Sequence, residues 1–320
     1  MINPDLIGRF GPDFTFPVEL GALRKFAKAV HAPWPCYLEA EAPPMLPTLL
    51  TIANVEWGYS LERPRGTLFE EIDHDLSVPL LAEESYEFFV PLPRAGDSLT
   101  GRACLESVTE KQGTRGGGLT FLVMLTEFRD RSGNHVANAR CTTVTTSASD
   151  DGGDGPSGTL PPPYEPDYQS QQPADPFAAM PTATWSDLSI GMGPGPVEAG
   201  TLTMLDLGRY LAACGEDNPL HYDHAYARQH GFPSPFGYGM QQGSALASYA
   251  CRWLGEENAR SFRGRFREVF WPGDVLTYDG RITALREENG QRLADLEISC
   301  TRASDGAAIV QGWMTFDLSH

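Results

Sequence analysis

The sequence is short of positive charge. Among 320 residues, Lys and Arg number 24 against 42 Asp and Glu, a formal net charge of −18. Neutralising phosphates without regard to sequence takes clustered cations, so this balance argues against nucleic acid as a partner and against docking on an anionic membrane. Long hydrophobic runs are also missing: no apolar stretch approaches the ~20 residues of a membrane helix. Met1 to Gly11 lacks a basic stretch followed by an apolar core, so no secretory signal is expected. Cysteine is sparse: six residues, at 36, 104, 141, 214, 251 and 300, with no C-x-x-C pair and no Cys/His spacing of a zinc site. Reduced thiols in a cytoplasmic protein without a metal are the expectation, and a chain this long can bury its core without disulfides. Two further signatures are absent. No G-x-S-x-G nucleophile elbow occurs, and no glycine-rich phosphate loop, since the run Arg115 to Gly118 falls in a hairpin between strand-like segments.

What is present is ordinary globular composition, 41% hydrophobic and 21% charged, in a chain more than twice the commonest domain size of ~100–150 residues. Two similar domains follow as the first expectation. Between them, residues 151–175 read DGGDGPSGTLPPPYEPDYQSQQPAD, where ten of 25 positions are Gly or Pro and every charge is negative. Such a segment cannot bury enough apolar surface to offset its ordering entropy. It predicts a linker over 148–182, laid across the surface through Tyr164 and Tyr168, between units 1–147 and 183–320.

The two flanks resemble each other. PLPRAGDSLTGRACL (Pro91 to Leu105) and FWPGDVLTYDGRITAL (Phe270 to Leu285) both set a Gly-Asp turn before an alternating strand. A second strand follows in each, Leu119 to Glu127 and Leu293 to Cys300. After a glycine-containing turn, a last strand closes each unit, Val136 to Thr146 and Ala308 to Leu318, completing a meander of hairpins. Upstream lie helical stretches. Thr203 and Asp206 form a capping box, Met204, Leu207, Leu211 and Cys214 recur at helical spacing, and Gly215 stands where a glycine stops a helix. Leu20, Leu23, Phe26, Ala27 and Val30 play the same part in the first unit. Gly239 to Leu254 is rich in small residues and nearly uncharged, which predicts a buried central helix, with Pro47 to Leu61 as its counterpart. Each half is thus a helix, a loop, a buried helix and an antiparallel sheet. This is an α+β arrangement of a sheet curled around one helix, with two units joined edge to edge.

The stretch that carries chemistry is Tyr210 to Ala227. After Gly215, a tight loop presents Glu216, Asp217, Asn218 and His221, and Asn218-Pro219 forces the backbone out of helix. A carboxylate, an amide and an imidazole within six residues are the inventory for holding and activating a water. Separately, Arg263, Arg265 and Arg267 alternate along one strand. They read either as a local site for phosphates in an otherwise acidic protein or as a solvated face with surface ion pairs.

The run G-E-D-N-P-L-H-Y-D, with G-Y-G-M at Gly237 to Met240, resembles the MaoC-like dehydratases, or (R)-specific enoyl-CoA hydratases, whose pattern is G-D-x-N-P-x-H. The resemblance covers about residues 184–319, and the first unit looks like the degenerate N-terminal hot dog of double-hot-dog members. It implies a double hot-dog fold and a hydro-lyase acting on a 2-enoyl or 3-hydroxyacyl thioester. It implies no cofactor beyond coenzyme A as part of the substrate, with a homodimer as the expected assembly. On the family pattern His221 is the catalytic histidine, Asn218 the conserved asparagine and Gly239 the backbone oxyanion donor. Gly239 also opens the buried helix, whose first N–H groups are unpaired and positively polarised. The resemblance further makes Arg263, Arg265 and Arg267 the candidates for binding the phosphates of coenzyme A.

The chain departs from the pattern twice. Glu216 stands at the catalytic aspartate, so its carboxylate must retract or tilt, and Tyr238 stands where the family often has histidine. The aligned first-unit loop puts Ala32, Trp34 and Tyr37 at the Asp, Asn and His positions, so that unit lacks the acid/base pair; a structural role with a widened cleft for a bulky acyl tail is expected there. His31 and His74 read as loop residues. Three rivals remain open: an acyl-carrier-protein dehydratase, a non-catalytic acyl-thioester-binding subunit, and a hot-dog thioesterase. The last would want a carboxylate on the buried helix, which Gly239 to Leu254 does not offer.

Overall fold

The computed structural model describes residues 2–57, 68–72, 80–113, 117–146, 161–162 and 174–319. In chain order the strands are β1 (Phe14–Pro17), β2 (Leu80–Phe88), β3 (Ser98–Gln112), β4 (Gly118–Arg129), β5 (His135–Thr146), β6 (Val197–Thr201), β7 (Ala259–Phe266), β8 (Val275–Glu288), β9 (Gln291–Arg302) and β10 (Ala308–Asp317). The helices are α1 (Leu20–Ala29), α2 (Pro35–Leu38), α3 (Thr51–Trp57), α4 (Leu68–Glu71), α5 (Met204–Cys214), α6 (His224–Gln229) and α7 (Gly239–Leu254).

The strands form one sheet in the order β1-β3-β4-β5-β2-β7-β10-β9-β8-β6, every pairing antiparallel. Read from either end, the five-strand succession is the same, so the molecule is a duplicated unit joined at β2 and β7. The Gly-Asp turns show how closely the copies agree. Gly96 and Gly273 share φ of 97°, a left-handed conformation that favours glycine. The Asp97 carboxylate accepts from the Arg94 N–H and that of Asp274 from the Trp271 N–H, each at 2.8 Å. Each glycine then ties to the loop before the first helix of its unit, Gly96 to Val18 and Gly273 to Leu202.

Helix α7 is wrapped by the sheet and buried along nearly its whole length. Its stripe of small residues lets strands approach closely. The capping box of α5 is formed, with the Asp206 carboxylate accepting from Thr203 N–H at 2.9 Å, and Gly215 ends the helix at φ 80°. The first unit differs where its counterpart helix was expected over Pro47 to Leu61: α3 spans only Thr51–Trp57, because Pro47 and the turn after it delay the start, and residues 58–61 lie outside the described part.

The expected linker over 148–182 also ends earlier than its composition implies. From 174 onward it is part of the fold: Phe177 is fully buried, its ring packed edge-on against Tyr249 and Tyr278 at 5.7 and 5.4 Å. Asp175 accepts a hydrogen bond from Trp34 Nε1 at 3.0 Å. One aromatic among polar neighbours is enough to anchor a segment when a core slot receives it. Tyr164 and Tyr168 lie outside the described residues.

Candidate active site

The loop after α5 is stitched by its own side chains. Glu216 Oε1 accepts from the Asn218 N–H at 2.9 Å, and Asn218 Oδ1 accepts from the Leu220 N–H at 3.1 Å. Asn218 thereby caps a single 3-10 turn, Pro219–His221, whose first position suits proline because its missing N–H would have no helical partner. The extra methylene of Glu216 is absorbed by curling back onto the loop, with one carboxylate oxygen tied to the backbone. Asp217, one residue on, is exposed, and its carbonyl accepts from Tyr222 Oη at 2.9 Å.

His221 is 6% exposed, held edge-on between the rings of Phe236 and Tyr238 at 5.1 and 5.5 Å. Its Nδ1 donates to the Phe236 carbonyl at 2.8 Å. A carbonyl can only accept, so Nδ1 carries the proton and Nε2 carries the lone pair. Burial pushes the imidazole pKa down to about 4, the Phe236 bond opposing only part of that shift. Burial acts oppositely on Glu216, raising its pKa; the Asn218 N–H counters this, and the charge of Asp217 adds to it. The two environments draw an acid and a base toward each other, an arrangement typical of proton-transferring sites.

The sign is definite for the histidine. A pKa lowered to about 4 leaves His221 neutral throughout the neutral range, protonated only as pH falls through that value. Its ring resonances are therefore expected to stay constant between pH 5.5 and 8 in NMR titration. A His221 transition near pH 6.5 would contradict the buried, Nδ1-donating geometry.

Glu216, Asn218, His221, Tyr238 and Gly239 line one wall of a cavity of about 710 Å³, within the size range of small-molecule sites. Residues 80–83 of β2 with Lys111 and Thr142 also line it, so the cavity is shared by the two units. Gly239 is the first residue of α7, where a backbone N–H has no place in the helical ladder. A Cβ there would come within 3.0 Å of the Phe266 ring and 3.4 Å of Leu81. A larger residue there would have to displace these side chains.

All three arginines line the same cavity. Two of them are already engaged: Arg263 grips both oxygens of Glu83 at 2.8 Å, and Arg265 reaches the same carboxylate at 3.1 Å. Burial would raise the Glu83 pKa, but the two guanidiniums outweigh it and hold the group below the usual carboxylate range. Arg267 bonds only a neutral partner among the described residues, Gln311 Oε1 at 3.3 Å. Arg263 and Arg265 thus form ion pairs along β7, and Arg267 stands just past the end of that strand at the cavity.

The first-unit loop is packed shut, which corrects the expectation of a widened cleft there. Ala32, Trp34 and Tyr37 are buried, the two rings stacked 5.8 Å apart, and the space beside them admits no water. Aromatic replacements of polar residues fill the volume they vacate. His31 takes the left-handed place of Gly215 at φ 61° and packs edge-on against Phe177. His74 lies outside the described residues. Sequence reasoning missed the Phe236 carbonyl, which fixes the tautomer and leaves no side-chain signal. It also missed the first-unit wall from β2 and Lys111, which only the tertiary pairing brings near.

Comparison with known proteins finds relatives of both units. Residues 5–139 match the family model described as FAS1-like, dehydratase domain region, and residues 187–299 match the MaoC like domain. The chain is 26% identical over 290 residues to the enoyl-CoA hydratase ChsH3 of Mycobacterium tuberculosis, covering 86% of this chain and 82% of that protein. A solved MaoC-like dehydratase shares the fold with a TM-score of 0.73 at 19% identity, covering 97% and 98% of the two chains. A conserved hypothetical protein of Mycobacterium tuberculosis, described as having a double hotdog fold, superposes with a TM-score of 0.63 at 13% identity over 96% of each chain. The second unit is a MaoC-like domain over residues 187–299, and the chain as a whole has the double hot-dog fold.

Proposed function

We propose that the protein is a hydro-lyase that adds water to a 2-enoyl thioester of coenzyme A, or removes it from the 3-hydroxyacyl thioester. The observation that carries this reading is the buried, neutral His221, held by Phe236 with Nε2 left as a base on a loop whose half-buried Glu216 lines the same cavity. The name of the Mycobacterium tuberculosis relative, an enoyl-CoA hydratase, supports it.

In this reading Nε2 of His221 takes a proton from a water as its oxygen bonds to C3 of the enoyl group. Glu216 orients that water through the carboxylate oxygen not tied to Asn218. Negative charge develops on the thioester oxygen, where the Gly239 N–H and the positive end of α7 stabilise it. The imidazolium then returns its proton to C2, and one water has been added with His221 neutral again. In reverse the same groups remove it.

Coenzyme A as carrier rests on the cationic edge. Lys111 and Arg267 line the cavity, and neither is paired to a carboxylate among the described residues' ion pairs. Steady-state kinetics with enoyl-CoA and with the matching enoyl-pantetheine, which lacks the nucleotide phosphates, tests this. Arg267→Ala is expected to raise KM for the CoA thioester by ~10-fold, roughly the value of one charge-assisted contact, and to leave the pantetheine thioester unaffected. Equal KM for both substrates in the unmutated protein would remove the CoA assignment and favour a carrier-protein thioester.

A further inference from the structure

The carbonyl that fixes His221 belongs to a segment held from behind by a buried arginine. Phe236 is tied to the 3-10 turn twice: its N–H donates to the Leu220 carbonyl at 3.4 Å, and its carbonyl accepts from His221 Nδ1 at 2.8 Å. The next residue, Gly237, donates its N–H to the Phe270 carbonyl at 3.0 Å. A Cβ on Gly237 would overlap the Phe270 ring, so the two segments lie directly against each other. Where Phe270 sits, the Phe236 carbonyl follows.

Arg267 to Phe270 line the cavity on irregular backbone between β7 and β8. Arg302, the last residue of β9, holds that backbone with a side chain only 2% exposed. Its Nη2 donates to the Val269 carbonyl at 2.6 Å, its Nε to Asp274 Oδ2 at 3.2 Å and its Nη1 to Asp305 Oδ2 at 3.0 Å. Asp274 Oδ2 also accepts from the Trp271 N–H at 2.8 Å, so the segment is gripped on both sides of Phe270. A planar guanidinium with three acceptors is a fixed clamp that an ammonium cannot reproduce.

The first unit shows that the Gly-Asp turn closes without this clamp. Gly101 and Tyr278 each lie four residues past the aspartate of their turn, and they pair with Phe128 and Cys300. Two residues further on, Asp130 therefore stands at the place of Arg302. Its carboxylate accepts from the Ser132 and Asn134 N–H groups of its own turn, yet the Asp97 bond to the Arg94 N–H still forms at 2.8 Å. The guanidinium is found at this position in the unit that carries the histidine. Resting on the hydro-lyase reading above, we propose that Arg302 is a positioning residue for the reaction. Through the Val269 carbonyl it sets Phe270 and Gly237, and with them the Phe236 carbonyl that keeps the lone pair on Nε2 of His221.

The test uses the full chain. Arg302→Lys keeps a charge beside Asp274 but cannot span three partners. Arg302→Met combined with Asp274→Asn removes the buried pair without leaving a lone charge. In both, kcat for a 2-enoyl-CoA is expected to fall by ~10-fold or more while KM stays within ~3-fold, since a slightly displaced base loses rate rather than affinity. Nitrogen-15 NMR at neutral pH is expected to show His221 wholly Nδ1-protonated in the unmutated chain and as mixed tautomers in both variants. Leu99→Ala, which opens a core cavity in the first unit, controls for lost stability: it should melt lower with kcat and tautomer unchanged. Arg302 variants that behave like this control would overturn the inference. A fall in kcat with the tautomer unchanged would overturn it too, because the effect would then bypass Phe236. No turnover of any enoyl-CoA by the unmutated chain would overturn the hydro-lyase reading, while the tautomer measurement would still decide whether Arg302 sets Phe236.

Discussion

Replacing His221 with alanine is expected to lower kcat/KM for an enoyl thioester by ~10²–10⁴-fold, the usual contribution of a positioned general base. The argument rests on two facts about one side chain. Its Nδ1 is committed to the Phe236 carbonyl, and its burial keeps the ring neutral, so Nε2 is a ready base at neutral pH. The substitution leaves Phe236 C=O unpaired and opens a small void, so the melting curve should be recorded alongside the rate. A folded His221→Ala protein with near-full activity would remove the histidine from the reaction. A more conservative variant, His221→Gln, fills most of the volume without an imidazole and should be about equally impaired.

The second large effect separates adjacent carboxylates. Glu216→Gln keeps an oxygen that can accept from the Asn218 N–H, so the loop should hold its shape while the charge that orients water is lost. A fall of ~10²-fold or more in kcat is expected, comparable to the penalty for misplacing a reacting group by ~1 Å. Asp217→Asn should stay within ~3-fold, an ordinary surface-site result, because that side chain is exposed and lies outside the cavity wall. Glu216→Asp should remain active, since the shorter carboxylate can make the same turn to Asn218. If Asp217→Asn were the dead variant and Glu216→Gln the healthy one, the register through the loop would be shifted by one residue. If both stayed active, the acid/base pair would lie elsewhere, and the binding-subunit reading would take first place.

Much of the fold was legible because local signals agreed with the tertiary result. The Thr203 and Asp206 cap, the Gly215 stop and the small-residue helix from Gly239 each appear at the residues that announce them. The two Gly-Asp turns gave away the duplication. Strand β2 was not legible: Glu83 and Glu84 interrupt its apolar alternation, and a strand carrying two adjacent carboxylates reads as a polar loop. The structure supplies what the sequence could not show, guanidiniums across the seam for Glu83 and a closed interior for Glu84. Likewise Phe177 sat in a segment whose composition spoke for a linker, and only the aromatic slot beside Tyr249 makes it core. At the site, residue types and spacing pointed to the loop, but the roles divide by geometry. Asn218 is first a cap, and the decisive partner of His221 is a backbone carbonyl fifteen residues on.

The most direct measurement is the absorbance of the conjugated enoyl thioester, followed while the purified full chain is incubated with 2-enoyl-CoA of several chain lengths and the product is identified by mass. The account predicts that absorbance falls for at least one chain length, that the product is heavier by one water with its thioester intact, and that His221→Ala abolishes the fall. Absorbance that persists at every chain length, or a product that is free acid and coenzyme A, would contradict it.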